Sequence, residues 1–541
     1  MGRMSPSRTL GSGVKESSIM STDSHPPIPT GTVNTGDPSK GPKAELVFGL
    51  VYPLGTEVGP VLDVLQDYLQ HFGYEPKLVR ISEYLKNLSL RLPSEPGTEA
   101  ERLISLGNLS CRQAQRKDFL ALAAVSKIAE SRHEYNDDAK PVYGRAHIVR
   151  SLKRPDEIFR LRQIYRPGLY IIGVFANEEE RIEYLTKRKG YSRSTAESLM
   201  KLDESQAEDE YGQRNRKTFH LADVFVETRN AHFKDQLERF LDLLFGNPFI
   251  TPRRDEHGMF LAAAASMRSS QFGRQVGASI LNRFGDVLSV GCNDVPRAGG
   301  GLYWPEDDDD CRDHKRDPDP DGTVWDSNDQ VQAEISGNIL QKIKPHLATD
   351  TTLLDSDTLF ADTKLEDITE FGRAVHAEMD ALLSCMRSGT SPTNCTLYTT
   401  TFPCHNCARH IIASGIRRVV YVEPYPKSRA SELHDDALTF NDTTKTEGNP
   451  KIPFVPFVGI APRRYIDVFS LELSTGARQE RKKDGRMKPW SRTVQAVPRV
   501  SMLASSYLER ELMAVSEINA IMRKQEKQER KIHVDDQESQ H

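Results

Sequence analysis

Short apolar runs alternate with amphipathic stretches along the first half of the chain. Ala44–Val51 and Leu169–Phe175 are almost continuously apolar, a pattern typical of buried strands in a parallel sheet. Shorter strand candidates lie at 77–81 and 146–149, and the segments between these runs carry apolar residues at helical spacing. Strands that alternate with helices predict a doubly wound α/β domain over residues 44–250.

Turn-forming residues between 246 and 252 predict a domain boundary. Beyond them, apolar runs at 276–281 and 287–290 flank a turn that contains glycine, which predicts a hairpin. Their continuation indicates a second domain, residues 251–470, in which helices pack on a mixed sheet. Its further predicted elements are helices at 259–272, 374–387 and 405–414 and strands at 396–399 and 418–422.

The two ends of the chain differ in composition from these domains. Residues 1–43 are rich in Ser, Thr, Pro and Gly, and they carry too little apolar surface to offset the entropy of ordering, so we expect a disordered leader. Residues 471–541 begin with a basic segment and continue into a predicted helical tail. The apolar positions of that helix are Leu508, Leu512, Val515, Ile518 and Met522.

Composition narrows the class of protein. The chain has 541 residues, of which 37% are hydrophobic, and a formal net charge of −5, which argues against a basic nucleic-acid coat protein. No apolar run approaches the roughly 18 residues of a membrane span, and the first residues lack the pattern of a secretory signal. Seven cysteines in this length do not indicate a disulfide framework. We therefore expect a cytoplasmic protein that does not associate with membranes.

Two short motifs of the second domain indicate chemistry. His376 stands two residues before Glu378, and Cys404 and Cys407 have C-x-x-C spacing where a helix is predicted to begin. One imidazole and two thiolates suit zinc, and a helix N-terminus favours the thiolate forms. Three protein ligands leave the fourth position for water, whose pKa zinc lowers towards ~7. The spacing therefore predicts a catalytic zinc site.

Glu378 supplies the carboxylate that a hydrolytic mechanism needs for proton transfer. Because residues two apart on a regular helix do not face each other, His376 and Glu378 must lie at its first turn to reach one site. H-x-E with P-C-x-x-C is the signature of zinc nucleobase deaminases, which predicts attack of hydroxide on C4 of a cytosine. The alternative is a structural zinc site whose fourth ligand is Cys395, His405 or His410.

Other motifs around these residues carry a family resemblance. They are Arg268-Ser-Ser, Gln275-Val-Gly-Ala278 and Gly291-Cys-Asn293-Asp-Val-Pro296. Together with the His376 and Cys404 motifs, they resemble a deoxycytidylate deaminase of the cytidine deaminase superfamily. The resemblance implies an α/β/α domain with a mixed sheet, and it implies that Asn293 contacts the substrate sugar. Asp380 stands where members of this family often have Asn.

Over residues 44–500, the chain resembles a narrower group, the anti-phage dCTP deaminases, which fuse a P-loop-kinase-like domain to a deoxycytidylate deaminase domain. This resemblance implies conversion of dCTP and dCMP to dUTP and dUMP, a homo-oligomer, and for some members control by a small RNA. The segments that carry it are Gly55-Thr56, Ser151–Glu157, Tyr211–Arg216, Phe219–Asp223, Gly300–Trp304, Pro424–Ser428 and Pro456–Tyr465.

The glycines of the first domain only partly follow a P-loop. Gly49 and Gly55 are separated by five residues instead of four, and Thr56 occupies the position of the P-loop lysine. Backbone N–H groups at such a turn could hold phosphate, but phosphoryl transfer would lack its main cation. We therefore interpret this domain as nucleotide-sensing or purely structural. In the second domain, Lys427 and Ser428 are candidates for contact with substrate phosphates, and a surface turn explains them almost as well.

These observations favour a zinc hydrolase that deaminates free deoxycytidine nucleotides in defence against phage. Two other classes stay open at this point. A polynucleotide cytidine deaminase would need a basic, aromatic groove, and the acidic segment 305–330 argues against one. The second open class is a nucleotide- or RNA-sensing protein with a vestigial deaminase domain, and the intact Glu378 argues against this class.

Overall fold

The computed structural model describes residues 43–538 except 89, 91, 93–95, 134–139, 205, 207–208, 229–231, 347–370, 423–428, 441–450, 475–477, 494–495 and 500–503. All of the expected leader except Lys43 lies outside the described residues, and so do Lys427 and Ser428. The chain from residue 42 onwards forms one compact unit. None of the described helices is long and apolar enough to cross a membrane.

The first sheet has six strands, of which five are parallel, in the order β2-β3-β1-β4-β5; the sixth, Gly459–Ile460, lies antiparallel beside β5. The expected strands of the first half are confirmed, with shifts of one or two residues at some ends. Successive residues of a strand point to opposite faces, and in β1 these faces enter two separate apolar cores. The strands are β1 Leu46–Val51, β2 Glu75–Arg80, β3 Arg145–Arg150, β4 Leu169–Phe175 and β5 Val224–Glu227.

Helices cover this sheet because its strands are apolar throughout. Pro60 lies in the first turn of the helix that follows β1, where its missing N–H has no helical partner to lose. The described helices of this half are α1 Gly59–His71, α2 Ile81–Lys86, α3 Glu99–Ala114, α4 Phe119–His133, α5 Pro155–Tyr165, α6 Glu178–Glu183, α7 Arg193–Glu204, α8 Asn215–Phe219 and α9 Phe233–Leu244, with a π-helical turn at Tyr184–Arg188.

The second sheet is mixed, as the order of its elements predicts. Its order is β10-β11-β9-β8-β6-β7; β6 and β7 form the expected antiparallel hairpin, and β8 to β11 are parallel. Gly285 adopts a φ of +95° in the hairpin turn, which other residues rarely adopt. The strands are β6 Gly277–Leu281, β7 Val287–Cys292, β8 Thr396–Thr399, β9 Arg418–Tyr421, β10 Leu438–Thr439 and β11 Ile452–Pro456.

Helices pack on the second sheet and connect its strands. The amino-terminal helix of this half begins at Arg254, five residues before the sequence pattern places it, because Glu256 caps it. The described helices are α10 Arg254–Ser266, α11 Ser327–Ile343, α12 Ala377–Arg387, α13 His405–Ala413 and α14 Ala430–Leu433, with 3₁₀ turns at Asp313–Lys315 and Lys344–His346.

After β11 the chain returns to the first sheet. The short strand β12, Gly459–Ile460, pairs antiparallel with β5, so one chain segment belongs to both halves of the molecule. Beyond it lie α15 Pro462–Phe469, a basic hairpin of β13 Lys482–Lys483 and β14 Arg486–Met487, and the long helix α16 Ala504–Glu538.

The buried face of α16 matches the expected apolar stripe at four of five positions. Ile518 is buried, and Leu508, Val515 and Met522 are partly buried against the same core, but Leu512 is 52% exposed. The most deeply buried side chains of the helix are Tyr507, Glu511, Ala514 and Ile518. The expectation was wrong at Leu512 because the neighbouring Glu511 is buried and turns Leu512 towards solvent. A pattern of apolar residues does not reveal a buried carboxylate.

That carboxylate belongs to a buried ionic network. The Glu511 side chain accepts hydrogen bonds from Arg132 (2.6 Å) and from the Tyr165 hydroxyl (2.8 Å). Arg132 also donates to Glu45 (3.1 Å), which accepts a further bond from the Tyr507 hydroxyl. All five side chains are at most 2% exposed. The network therefore fastens α16 to α4, α5 and the start of β1.

We predict that Glu511→Ala lowers the free energy of unfolding by about 3–5 kcal/mol, because it leaves the Arg132 guanidinium buried without its partner. Urea titration followed by circular dichroism measures the change. Glu509→Ala, on the exposed face of the same helix, is the control and should change stability by less than about 0.5 kcal/mol. Equal stability of the two variants would contradict the structural role of the network.

Candidate active site

The two motifs meet at the end of β8, at the first turns of α12 and α13. His376 is the extended residue that caps α12, and Glu378 lies in its first turn, so the expected position of this pair is confirmed. Helix α12 lies close against β7 because Gly291 has no side chain. A Cβ at that position would lie 2.4 Å from the carbonyl oxygen of Ala377.

The cysteine motif forms the beginning of α13. Cys404 is its capping residue, and its sulfur accepts a hydrogen bond from the backbone N–H of Cys407 (3.4 Å). Cys407 lies in the first turn and is buried. The expectation that a helix begins between the two cysteines is confirmed, and it explains why both sulfurs face one point.

The imidazole and the two sulfurs form a group that could hold a metal ion. The His376 Nδ1 atom lies 3.3 Å from Cys404 Sγ and 3.4 Å from Cys407 Sγ, and all three donor atoms lie within 4.8 Å of one another. Thiolate sulfur and imidazole nitrogen are preferred zinc ligands, so the donor set fits zinc.

The electrostatics of the group favour a thiolate. Hydrogen bonding from Cys407, and then from His376, lowers the pKa of Cys404 to about 4 against the opposing effect of burial. The hydrogen bond with Cys404 raises the pKa of His376 to about 9 although burial opposes it. Among the described residues, Cys395, His405 and His410 do not belong to this group, so none of these three candidates supplies a fourth ligand.

Glu378 lies beside the donor group and is only 3% exposed. Its Oε1 accepts a hydrogen bond from the Thr399 hydroxyl (3.0 Å), and its Oε2 lies 3.4 Å from Cys407 Sγ. Burial, and then the negative charge of Cys404, raise the pKa of this carboxyl. Thr399 was not among the residues singled out from the sequence. Its only signal there is a polar residue at the end of an apolar strand.

Asn293 lies at the end of β7, close in the chain to the site. Its side chain accepts from the N–H of Val276 (2.6 Å) and donates to the carbonyl of Arg274 (2.9 Å). The next residue, Asp294, forms an isolated bridge with Val375, the neighbour of His376. The turn that contains Asn293 is therefore fixed next to the metal-binding group, and its contact with a sugar stays a prediction.

Asp380 is not part of the donor group, and its carboxylate is bonded to the end of β7 and to α12. One of its oxygens accepts from the N–H of Cys292 (3.3 Å), and the other lies 3.4 Å from the Arg387 guanidinium. Burial raises the pKa of this carboxyl. The residue that departs from the usual family pattern thus supports the end of β7.

The three residues proposed for the P-loop, Gly49, Gly55 and Thr56, do not all lie in one loop. Gly49 lies inside β1, where a Cβ would be 2.6 Å from Ile171 and 2.7 Å from Leu152. Gly55 forms the following turn at a φ of +90°. Thr56 is buried, and its hydroxyl has no hydrogen-bond partner among the described residues. Only Gly55 and Thr56 therefore belong to the loop.

A carboxylate from α7 is hydrogen-bonded to the backbone of this loop. Asp203, on α7, accepts from the N–H of Leu54 (2.8 Å) and pairs with the Lys153 ammonium (2.7 Å). Lys153 also donates to the carbonyl of Tyr52 (2.7 Å). Beside the loop, at the carboxyl ends of β1, β4 and β5, lies a cavity of about 510 Å³.

Paired helix starts that present H-x-E and C-x-x-C at the end of a mixed sheet define the class of zinc-dependent nucleobase deaminases. Residues 252–423 match the family model described as the cytidine and deoxycytidylate deaminase zinc-binding region. The deoxycytidylate deaminase of Enterobacteria phage T4 is 30% identical over 173 residues, which make up 31% of this chain and 77% of the phage protein. The chain belongs to the cytidine and deoxycytidylate deaminase family.

Other similarities are more local. The deoxycytidylate deaminase of Enterobacteria phage T2 is 44% identical over 55 residues, which are 10% of this chain and 29% of that protein. A crystal structure of the dCMP deaminase from cyanophage S-TIM5 in apo form aligns with 38% of this chain and 100% of its own chain, at 16% identity and a TM-score of 0.21. A score this low carries no inference by itself.

We predict that Cys404→Ser loses most of the bound zinc, because a neutral hydroxyl replaces the thiolate that caps α13. Metal analysis of the purified full chain measures this loss. Cys311→Ser is the matched control, since Cys311 is exposed and lies outside the donor group, and it should retain its zinc. Full zinc content in Cys404→Ser would exclude Cys404 as a ligand.

Proposed function

We propose that this chain hydrolyses the 4-amino group of deoxycytidine nucleotides, converting dCTP, dCMP or both to dUTP and dUMP with release of ammonia. The observation that carries the proposal is the buried carboxylate of Glu378, held by Thr399 next to the three donor atoms. The names of the T4 and T2 relatives support deoxycytidine nucleotides as the substrate class.

His376, Cys404 and Cys407 would hold the zinc ion, which when bound acts as a Lewis acid and lowers the pKa of water. Glu378 takes a proton from the attacking water and delivers it to N3 of the cytosine ring. The water oxygen forms a bond to C4. Glu378 then takes the second proton from the resulting C4 hydroxyl, which becomes the carbonyl, and passes it to the amino group, so that the C4–N bond breaks and ammonia leaves. Thr399 keeps one carboxylate oxygen bonded, so that the other faces the donor group.

The remaining residue assignments belong to the same proposal. Asn293 contacts the sugar, and Lys427 and Ser428 contact the substrate phosphates. The first half is a P-loop-kinase-like domain that senses a nucleotide or is purely structural, and it does not transfer phosphate. Its parallel strand order and the cavity beside Gly55 and Thr56 support this assignment, while the Asp203 carboxylate in the loop argues against phosphoryl transfer.

The biological role that we propose is depletion of the deoxycytidine nucleotide pool during phage infection. The resemblance to anti-phage dCTP deaminases over residues 44–500 supports this role, together with a cytoplasmic homo-oligomer and a small regulatory RNA. Expression of the wild type and of Glu378→Gln in a bacterial host separates this role from others. The wild type should lower dCTP and dCMP levels and phage plating, and the variant should do neither. Unchanged nucleotide levels with the wild type would exclude the role.

We predict that Glu378→Gln lowers turnover of dCTP and dCMP by about 10²–10⁴-fold, because the amide cannot carry the proton, while zinc stays bound. Ammonia release and chromatography of the nucleotides measure turnover, and metal analysis measures zinc. Glu197→Gln, whose side chain on α7 is 45% exposed and lies outside the donor group, is the control and should keep full activity. Loss of zinc in Glu378→Gln would make Glu378 a metal-site residue instead.

The same assay separates the competing functions. Product formation on a single-stranded oligonucleotide, with none on dCTP or dCMP, would identify a polynucleotide deaminase. Tight binding of a nucleotide or RNA without turnover of any cytosine compound, in zinc-loaded protein, would identify a sensor with a vestigial site.

We predict that Thr399→Val lowers kcat by about tenfold or more with little change in KM, because Glu378 loses the hydrogen bond that orients it. Thr399→Ser keeps the hydroxyl and should restore most of the activity, which a loss of packing would not allow. Zinc content should equal that of the wild type in both variants. Equal activity of the Val and Ser variants would exclude a positioning role for the hydroxyl.

A further inference from the structure

Arginine side chains from α5 and α15 converge on a single buried carboxylate. Asp223, which precedes β5, is 1% exposed. Its Oδ1 lies 3.3 Å from a guanidinium nitrogen of Arg162, 3.3 Å from Arg464 and 3.6 Å from Arg463. Arg166 lies one turn after Arg162 at the end of α5, where its backbone N–H donates to the Arg162 carbonyl (3.1 Å). We call Arg162, Arg166, Arg463 and Arg464 the arginine cluster.

The cluster carries more positive charge than the described residues around it neutralise. Asp223 also accepts the N–H of Ile171 (2.7 Å), so its oxygens are shared among several donors. Arg464 has a second carboxylate partner in Asp467 (3.1 Å). Two carboxylates therefore face four guanidinium groups, which leaves an excess of two positive charges.

The excess has a structural consequence at Arg162. Its Nη2 atom donates to the carbonyl of Leu221 and lies near Asp223, but its Nη1 atom is buried and has no partner among the described residues. Burial, and then the neighbouring guanidinium groups, lower the pKa of Arg162 to about 10 although Asp223 opposes this. A buried guanidinium nitrogen without an acceptor costs free energy that an added anion would recover.

We propose that the arginine cluster binds a small phosphate-bearing anion, either inorganic phosphate or the phosphate group of a free nucleotide. Guanidinium groups bind phosphate oxygens through paired N–H donors, which makes arginine the preferred residue for such sites. The proposal does not depend on the deaminase activity, because it uses none of the residues at the zinc-binding group.

The depth of the cluster indicates a small ligand. Arg162 and Arg464 are only 12% and 9% exposed, whereas Arg463 is 40% exposed and Arg166 is exposed. The first pair are thus the buried members of the cluster, and the second pair are its exposed members. A single phosphate group is small enough to contact both pairs, while the backbone of a polynucleotide would contact mainly Arg166 and Arg463.

The position of the cluster connects it with both halves of the molecule. Arg463 and Arg464 follow β12, which joins the deaminase sheet to the first sheet. On the same helix, the Tyr465 ring stacks on Phe260 of α10 at 4.1 Å between ring centres. An anion that holds α15 against α5 therefore stabilises the connection between the two sheets.

The test measures the melting temperature and phosphate binding of the full chain. Sodium phosphate should raise the melting temperature more than sodium chloride at equal ionic strength, since chloride screens charge without bridging guanidinium groups. Isothermal titration with inorganic phosphate should give an affinity that Arg463→Gln weakens by about tenfold. Arg166→Gln combined with Arg463→Gln should abolish it, and both positions are exposed enough to keep the fold intact.

Arg193→Gln is the matched control, because Arg193 is an exposed arginine with two carboxylate partners on α7 and its surroundings. It should bind phosphate like the wild type. Equal effects of phosphate and chloride on the wild type, or equal phosphate affinity in the double variant and the wild type, would overturn the proposal. So would a double variant that loses binding of an RNA oligonucleotide while its phosphate affinity stays unchanged.

Discussion

The structure depends on one buried carboxylate at the junction of its two sheets. Glu256 is fully buried and accepts two hydrogen bonds from the Arg239 guanidinium, at 2.7 and 2.8 Å. It also accepts the backbone N–H groups of Arg253 and Ile460. The chain approaches so closely here that a Cβ on Gly459 would lie 2.7 Å from the carboxylate. A single charge thus fixes α9, the start of α10 and the strand that joins the sheets.

Helix α10 transmits this constraint to the active site. Asp255, the neighbour of Glu256, pairs with Arg418 through both oxygens and accepts the hydroxyl of Tyr398 (2.9 Å). Gly258 allows the helix to lie against the Tyr398 ring, because a Cβ there would be 2.5 Å from it. Tyr398 precedes Thr399, whose hydroxyl holds Glu378. The orientation of the carboxylate at the zinc-binding group therefore rests on the packing of α10.

Features encoded by local sequence could be predicted, and features set by distant partners could not. The parallel strands, the β6–β7 hairpin and the helix starts that carry His376 and Cys404 follow from apolar runs, a glycine turn and ligand spacing. Thr399 was missed because a hydroxyl becomes informative only once its partner is known. The prediction that Leu512 of α16 is buried was wrong because a glutamate such as Glu511 is expected at the surface unless its partner, Arg132, is known.

The first half contains two buried ionic clusters, one around Arg132 and one around Asp223, and the balance of charge within each cluster differs. Around Arg132, the carboxylates of Glu45 and Glu511 accept bonds from the guanidinium, from tyrosine hydroxyls and from a buried histidine. The Nδ1 atom of that histidine has no partner among the described residues, but the two carboxylates neutralise the charge of Arg132 from within the chain, so this cluster contributes stability. Around Asp223, guanidinium groups outnumber carboxylates in the described part of the chain, and the Nη1 atom of Arg162 has no partner there. Because a buried charge needs a partner wherever it lies, the phosphate group that we propose would supply the acceptor that Arg162 lacks.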